Sequence, residues 1–152
     1  MGPFCGNKLE TDHIACGNSG GLDPYTSATG ILRMAQKKLA ETDAPSILRG
    51  KADLTTKDVI DAAKEGDTLA MGVFDFMAKT MGMALAGCCA LADMELILIG
   101  GGVSKAGNFL TDPIEQYFRT FAFHTQKNTK FKLAELGNDA GIYGAVRMVL
   151  FK

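Results

Sequence analysis

Charge of one sign is nearly absent from this chain: 16 Lys and Arg stand against 17 Asp and Glu, a formal net charge of -1. With no basic excess to follow a phosphate backbone, nucleic acid is not an expected partner. No Lys/Arg block or basic amphipathic stretch marks a membrane surface. The opening MGPFCGNKLE lacks the apolar core of a signal peptide, and no unbroken apolar run approaches the length of a membrane span. The most lipid-like segment, MGMALAGCCALA, is bracketed by Lys79 and Asp93 and reads as a buried helix, with Cys88 and Cys89 as small core residues. Cysteine is sparse, at 4 residues. Without a secretion signal these read as reduced thiols, and the expected compartment is the cytoplasm.

What is present suits a single domain over 1–152, with 47% apolar residues and too little length for two full lobes. Residues 1–26 read as irregular, rich in Gly, Asn, Asp and Pro. From Ser27 the period changes: Ile31, Leu32, Ala35 and Leu39 share a helical face, with Ser27 or Thr29 as cap. Pro45 and Gly50 mark a linker. Thr55-Thr56-Lys57-Asp58 has the form of a capping box, and Gly66 ends that helix. A long helix follows from Asp67 or Thr68 to about Ala92, with a buried stripe from Leu69 through Phe74 and Met81 to Cys88.

The stretch ELILIGGGVS then runs from a strand, Leu96–Ile99, into three glycines. That strand is apolar on both faces, as an interior parallel strand would be. A helix within Ala106–Phe123 follows, its start reset by Asp112-Pro113. A strand over Lys130–Leu136, a turn at Gly137-Asn138-Asp139 and a last helix complete a parallel βαβα unit. Ligands of such units lie at the carboxyl ends of the strands, where both glycine-bearing turns fall. Glycine costs the most backbone entropy to order, so three in succession mark either a tight strand-to-helix turn alone or a ligand resting against the backbone, and their place at a strand's carboxyl end favours the ligand.

From Tyr25 onward, YTSATGI, LTTKDVIDAAKEGD, ELILIGGGVSKAG and LGNDAGIYGA resemble, in order and spacing, the C-terminal half of bacterial glucokinases of the ROK family. The resemblance implies an α/β fold: an incomplete actin-like ATPase (ribonuclease H-like) lobe, helix-rich, with a short parallel βαβα unit. It implies transfer of the ATP γ-phosphate to glucose or another hexose, with Mg2+. Gly100, Gly101 and Gly102, with Ser104 and Lys105, are carried over as nucleotide contacts. A helix N-terminus after such a turn presents free N–H groups, which suits the same reading.

The family's zinc motif, C-x-C-G-x-x-G-C-x-E, falls on Ile14–Asp23, where Cys16 alone keeps a ligand. One thiolate is not a tetrahedral site, so the zinc is expected to be lost, with Cys5, His13 and Cys16 as the candidates for a rearranged one. Glu10-Thr11-Asp12-His13 resembles the sugar-binding E-x-G-H, and Asp23 stands where the family has a sugar-binding Glu. The family's D-x-G-G-T phosphate loop, its Asp base and its second Gly-rich phosphate loop have no counterpart here, so no catalytic residue is assigned. Turnover by this chain alone is not expected. The alternatives are a non-catalytic sugar or nucleotide regulator and a decayed gene fragment. Strands that precede this region in the family would cover one edge of Leu96–Ile99. The expectation is therefore a homo-oligomer, or a complementing N-terminal lobe.

Overall fold

The computed structural model describes residues 21–150. In chain order it contains α1 (Asp23–Thr26), α2 (Ala28–Glu41), α3 (Thr56–Lys64), α4 (Thr68–Ala92), β1 (Leu96–Ile99), α5 (Asn108–Phe121), β2 (Lys130–Leu133) and α6 (Ala140–Leu150), with short 3-10 turns between.

The helices begin where side chains can serve their free N–H groups. Ser27 accepts from Gly30 N at 3.1 Å to open α2. Thr55 and Asp58 close a reciprocal capping box on α3: Asp58 N donates to Thr55 Oγ1 at 3.2 Å, and Thr55 N to Asp58 Oδ2 at 3.0 Å. Gly66, at φ +86°, ends the turn after α3. Asp67 caps α4 through Ala70 N at 2.9 Å, and its other oxygen accepts from Ile47 N at 2.8 Å. One carboxylate thus starts the long helix and fastens the preceding loop to it.

α4 is the spine. It packs against α1, α2, α3 and α5, and its residues Ala70, Val73, Phe74, Met77 and Ala78 join Ile31, Val59 and Ile114 in the main core. By length and composition it would reach across a membrane, yet its stripe is spent on these four helices. The smaller cluster of Ala86, Cys89, Ile97, Phe118 and Ala122 joins the sheet to α4 and α5. There Phe118 meets Phe131 edge to face, ring centroids 5.1 Å apart. The sheet has two parallel strands in the register Leu96 opposite Lys130 to Ile99 opposite Leu133.

Several expectations are corrected. The segment 1–26 is not irregular to its end, because Asp23–Thr26 forms a turn of helix with Pro24 near its start. Helix α5 starts at Asn108 and carries Pro113 inside it, so the proline does not reset the start. β2 stops at Leu133 and not at Leu136, since β1 ends at Ile99 and leaves no partner beyond. Cys89 is buried but Cys88 is exposed, one residue round the helix.

β1 is not interior among the described residues. It pairs with β2 on one edge only, and of its side chains Ile97 alone is buried, while Leu98 is 60% exposed. α6 likewise turns Ile142, Val146, Met148 and Val149 to solvent. Among the described residues both elements carry apolar surface without a cover, which monomeric proteins rarely leave in a contiguous patch.

Candidate functional site

The three glycines answer to different causes. A β-carbon on Gly100 would stand 3.2 Å from Ala134 Cβ, so this position is tight against the neighbouring chain. Gly101 has φ +89° and ψ -175°, a region open essentially to glycine alone. A β-carbon on Gly102 would meet nothing within 4 Å. The fold therefore explains the first two glycines and leaves the third open to the surroundings. Residues 102–106 coil into a 3-10 turn, with Ser104 Oγ donating to Gly101 O at 2.6 Å and Gly107, at φ +67°, releasing the chain into α5.

This turn forms one wall of a cavity of about 520 Å3. Gly102, Val103, Lys105 and Ala106 face Ala28 and one face of α3, which contributes Thr56, Lys57, Ile60, Asp61 and Lys64. The positions 56, 57, 60, 61 and 64 recur at the helical period, so one stripe of α3 lines the space. Thr56 Oγ1 donates to Ala28 O at 2.7 Å and pins the start of α3 to α2. Lys64 Nζ lies 5.8 Å from the centre of the Phe109 ring, which anchors the far end of the stripe toward α5. The lining is mainly apolar, and its charged residues are Lys57, Lys64, Lys105 and Asp61.

Of the expected nucleotide contacts, Gly102 and Lys105 line this cavity directly, and Gly100, Gly101 and Ser104 shape the turn that leads into it. The second glycine turn, 137–139, touches the first, and both stand at the carboxyl ends of the parallel strands. Asp23 is at the head of α1, exposed and not among the cavity residues. Cys5, Glu10, His13 and Cys16 lie outside the described residues. Sequence reasoning missed the α3 wall. Its signal was the Lys57, Asp61, Lys64 stripe, indistinguishable in sequence from an ordinary solvated face.

Chemically, a mainly apolar lining that includes three lysines and a glycine without a side chain is compatible with a nucleoside phosphate. The lining holds no all-protein cage for magnesium. Among the described residues no three His, Cys, Asp or Glu side chains converge, and the cavity offers a single carboxylate, Asp61. A further groove of about 380 Å3 between α2 and α4, lined by Met34, Leu69, Val73 and Phe76, contains none of the expected site residues.

Comparison with known proteins fits this geometry into a class. The chain takes the form of part of an actin-like ATPase lobe, the fold of ROK sugar kinases. It superposes on a ROK family glucokinase from Streptomyces griseus, solved in complex with glucose and AMPPNP, with a TM-score of 0.76 and 30% identity over 88% of this chain and 45% of that one. The family model described as ROK family matches residues 7–152, and the chain belongs to that family. A glucokinase from Halalkalibacterium halodurans is 40% identical over 133 residues, which are 85% of this chain and 40% of the relative. A ROK family transcriptional regulator, a homolog of the E. coli MLC protein, superposes with a TM-score of 0.67 at 29% identity, over 80% of this chain and 30% of that one. The chain spans less than half the length of these relatives.

Proposed function

We propose that this chain is the nucleotide-binding, C-terminal part of a cytoplasmic ATP-dependent glucokinase, with ATP and glucose or another hexose as its ligands. The observation that carries the reading is Gly102, a glycine that the fold does not require, in the lining of a cavity that also takes in Lys57, Lys64 and Lys105. In this reading the base rests between the 3-10 turn and α3, and the lysines draw the phosphates. Phosphoryl transfer also needs a phosphate loop and a base for the sugar hydroxyl. Among the described residues the carboxylates near the glycine turn are Asp61, in the cavity lining, and Asp139, in the touching turn 137–139, and no further glycine turn follows a strand. Those parts belong to a complementing lobe, whose strands would pair along the edge of β1 that is open among the described residues.

A second reading, a sugar-responsive regulator without turnover, is favoured by one observation. The regulator relative shares the same superposition over 80% of this chain. Glucose-dependent ADP release by the purified chain, with ATP and Mg2+, separates the possibilities. The proposal expects ATP to bind and ADP release to stay at the no-sugar level until the complementing lobe is added. Turnover by the chain alone would overturn the need for that lobe. Absence of ATP binding would overturn the nucleotide reading.

A further inference from the structure

We propose that Asp61 reads the base of the bound nucleotide, accepting a hydrogen bond from the exocyclic amine of adenine and so selecting adenine over hypoxanthine. The inference rests on the nucleotide reading of the glycine-turn cavity and adds a specificity residue to it.

The apolar part of the cavity lining is made by Ala28, Ile60, Val103 and Ala106, and Gly102 adds a stretch of it without a side chain. Such a slot accepts a flat ring by burial, and burial alone does not distinguish one purine from another. Discrimination must come from the polar groups around it. The lysine ammonium groups at 57, 64 and 105 only donate, and so serve ring nitrogens or phosphate oxygens. The hydroxyl proton of Thr56 is already given to Ala28 O. Asp61 is the one carboxylate of the lining, and it is half-buried. Its backbone carbonyl is taken by Glu65 N, at 3.0 Å. Its side chain makes no ion pair or hydrogen bond among the described residues, although three lysines share the cavity. A carboxylate left free beside an apolar slot is an acceptor awaiting a donor, and a poor neighbour for phosphate.

Adenine supplies that donor in its exocyclic amine, with ring nitrogens for the lysines. Hypoxanthine carries a carbonyl oxygen at the same position, whose lone pairs would face the carboxylate. A site built around a hydrogen bond rejects the analogue that cannot make it, because its own polar group is then left unpaired.

The test measures equilibrium binding of adenosine, inosine and inorganic tripolyphosphate to the full chain, in the native protein and in Asp61→Ala and Asp61→Asn. The native chain is expected to bind adenosine about tenfold more tightly than inosine, the loss of one charge-assisted hydrogen bond. In Asp61→Ala the preference collapses, while tripolyphosphate binds as tightly as before or more so, since a negative charge has left the lysine rim. Asp61→Asn keeps an acceptor and falls between. A merely structural defect would weaken all three ligands together, and that result would overturn the assignment. So would equal binding of the two nucleosides by the native chain, or a preference that survives in Asp61→Ala. If the native chain binds neither nucleoside nor ATP, the nucleotide reading itself is what fails.

Discussion

The main chain of α5 at Phe118 crosses α4 at Gly82 so closely that a β-carbon on residue 82 would stand 2.7 Å from the Phe118 amide nitrogen. It would also stand 2.8 Å from Ile114 O. Backbone cannot yield as a flexible side chain does, so Gly82→Ala forces the two helices apart. We expect it to destabilise the chain by about 1–3 kcal/mol, as overpacking does. In an open helical position the same change has the opposite sign. Gly87, also in α4, would meet nothing within 4 Å, and Gly87→Ala should gain about 0.5–1 kcal/mol. Urea unfolding of both variants checks the contrast. Equal effects would mean that α4 and α5 do not approach as described.

The head of α3 gives the stability a pH dependence. Lys51 Nζ lies 2.6 Å from Asp58 Oδ1. The hydrogen bond from Lys51, followed by those from Thr55, holds the Asp58 carboxyl far below the usual carboxylate range. A depressed native pKa means that the unfolded chain binds the proton more readily. The stabilisation is therefore complete above the ordinary value of 3.8 and is lost as the pH falls below it. Asp58→Asn should lower the urea midpoint at pH 7 and lower it less at pH 3. Thr55→Ala, which removes the hydroxyl from the same box, should cost about 1 kcal/mol at neutral pH. A midpoint difference for Asp58→Asn that stays constant across this range would sink the argument.

Adjacent glycines of the turn should separate stability from binding. At Gly101 the positive φ strains any side chain, and Gly101→Ala is expected to cost about 1–2 kcal/mol in unfolding measurements. At Gly102 a β-carbon meets open space, so Gly102→Val should leave the unfolding midpoint near its native value. Its branched side chain would enter the cavity that residue 102 lines, and ATP affinity should fall by about tenfold or more. Titration with a fluorescent ATP analogue reads the second effect. Unchanged affinity in Gly102→Val would remove the main support for the nucleotide site.

Helices were legible in the sequence wherever a cap announced them. Ser27, the Thr55–Asp58 box and Asp67 stand where the chain turns helical, and Gly66 stops it. What local pattern could not carry was anything fixed by a distant partner. The alternation of KFKLAEL runs past Leu133, but the strand ends there because β1 ends at Ile99. Leu48, inside what reads as a linker, is fully buried because the loop folds back on the core, where Arg49 holds the carbonyls of Leu39, Thr42 and Ala44. The candidate site divides in the same way. Its glycine turn could be read from one stretch of ten residues, whereas the facing wall lies some forty residues earlier. Lys57 and Asp61 become site residues only through the packing that sets α3 against the turn.

The uncovered strand makes the last prediction. Among the described residues β1 offers a free edge of backbone donors and acceptors, with Leu98 60% exposed beside it, and α6 adds Met148 at 77%. Natural sheets rarely leave such an edge unguarded, and parallel strands are usually covered on both faces. The isolated chain should therefore self-associate, and sedimentation velocity should show its mean size rising with concentration. Leu98→Lys places a charge on the open face without touching the buried Ile97, so it should shift the distribution toward monomer while helix content stays unchanged. Addition of the complementing lobe should do the same to the native chain, because its strands would occupy the edge. A native chain that sediments as a monomer at all concentrations would mean that this surface is already covered, and the case for a missing lobe would lose its structural basis.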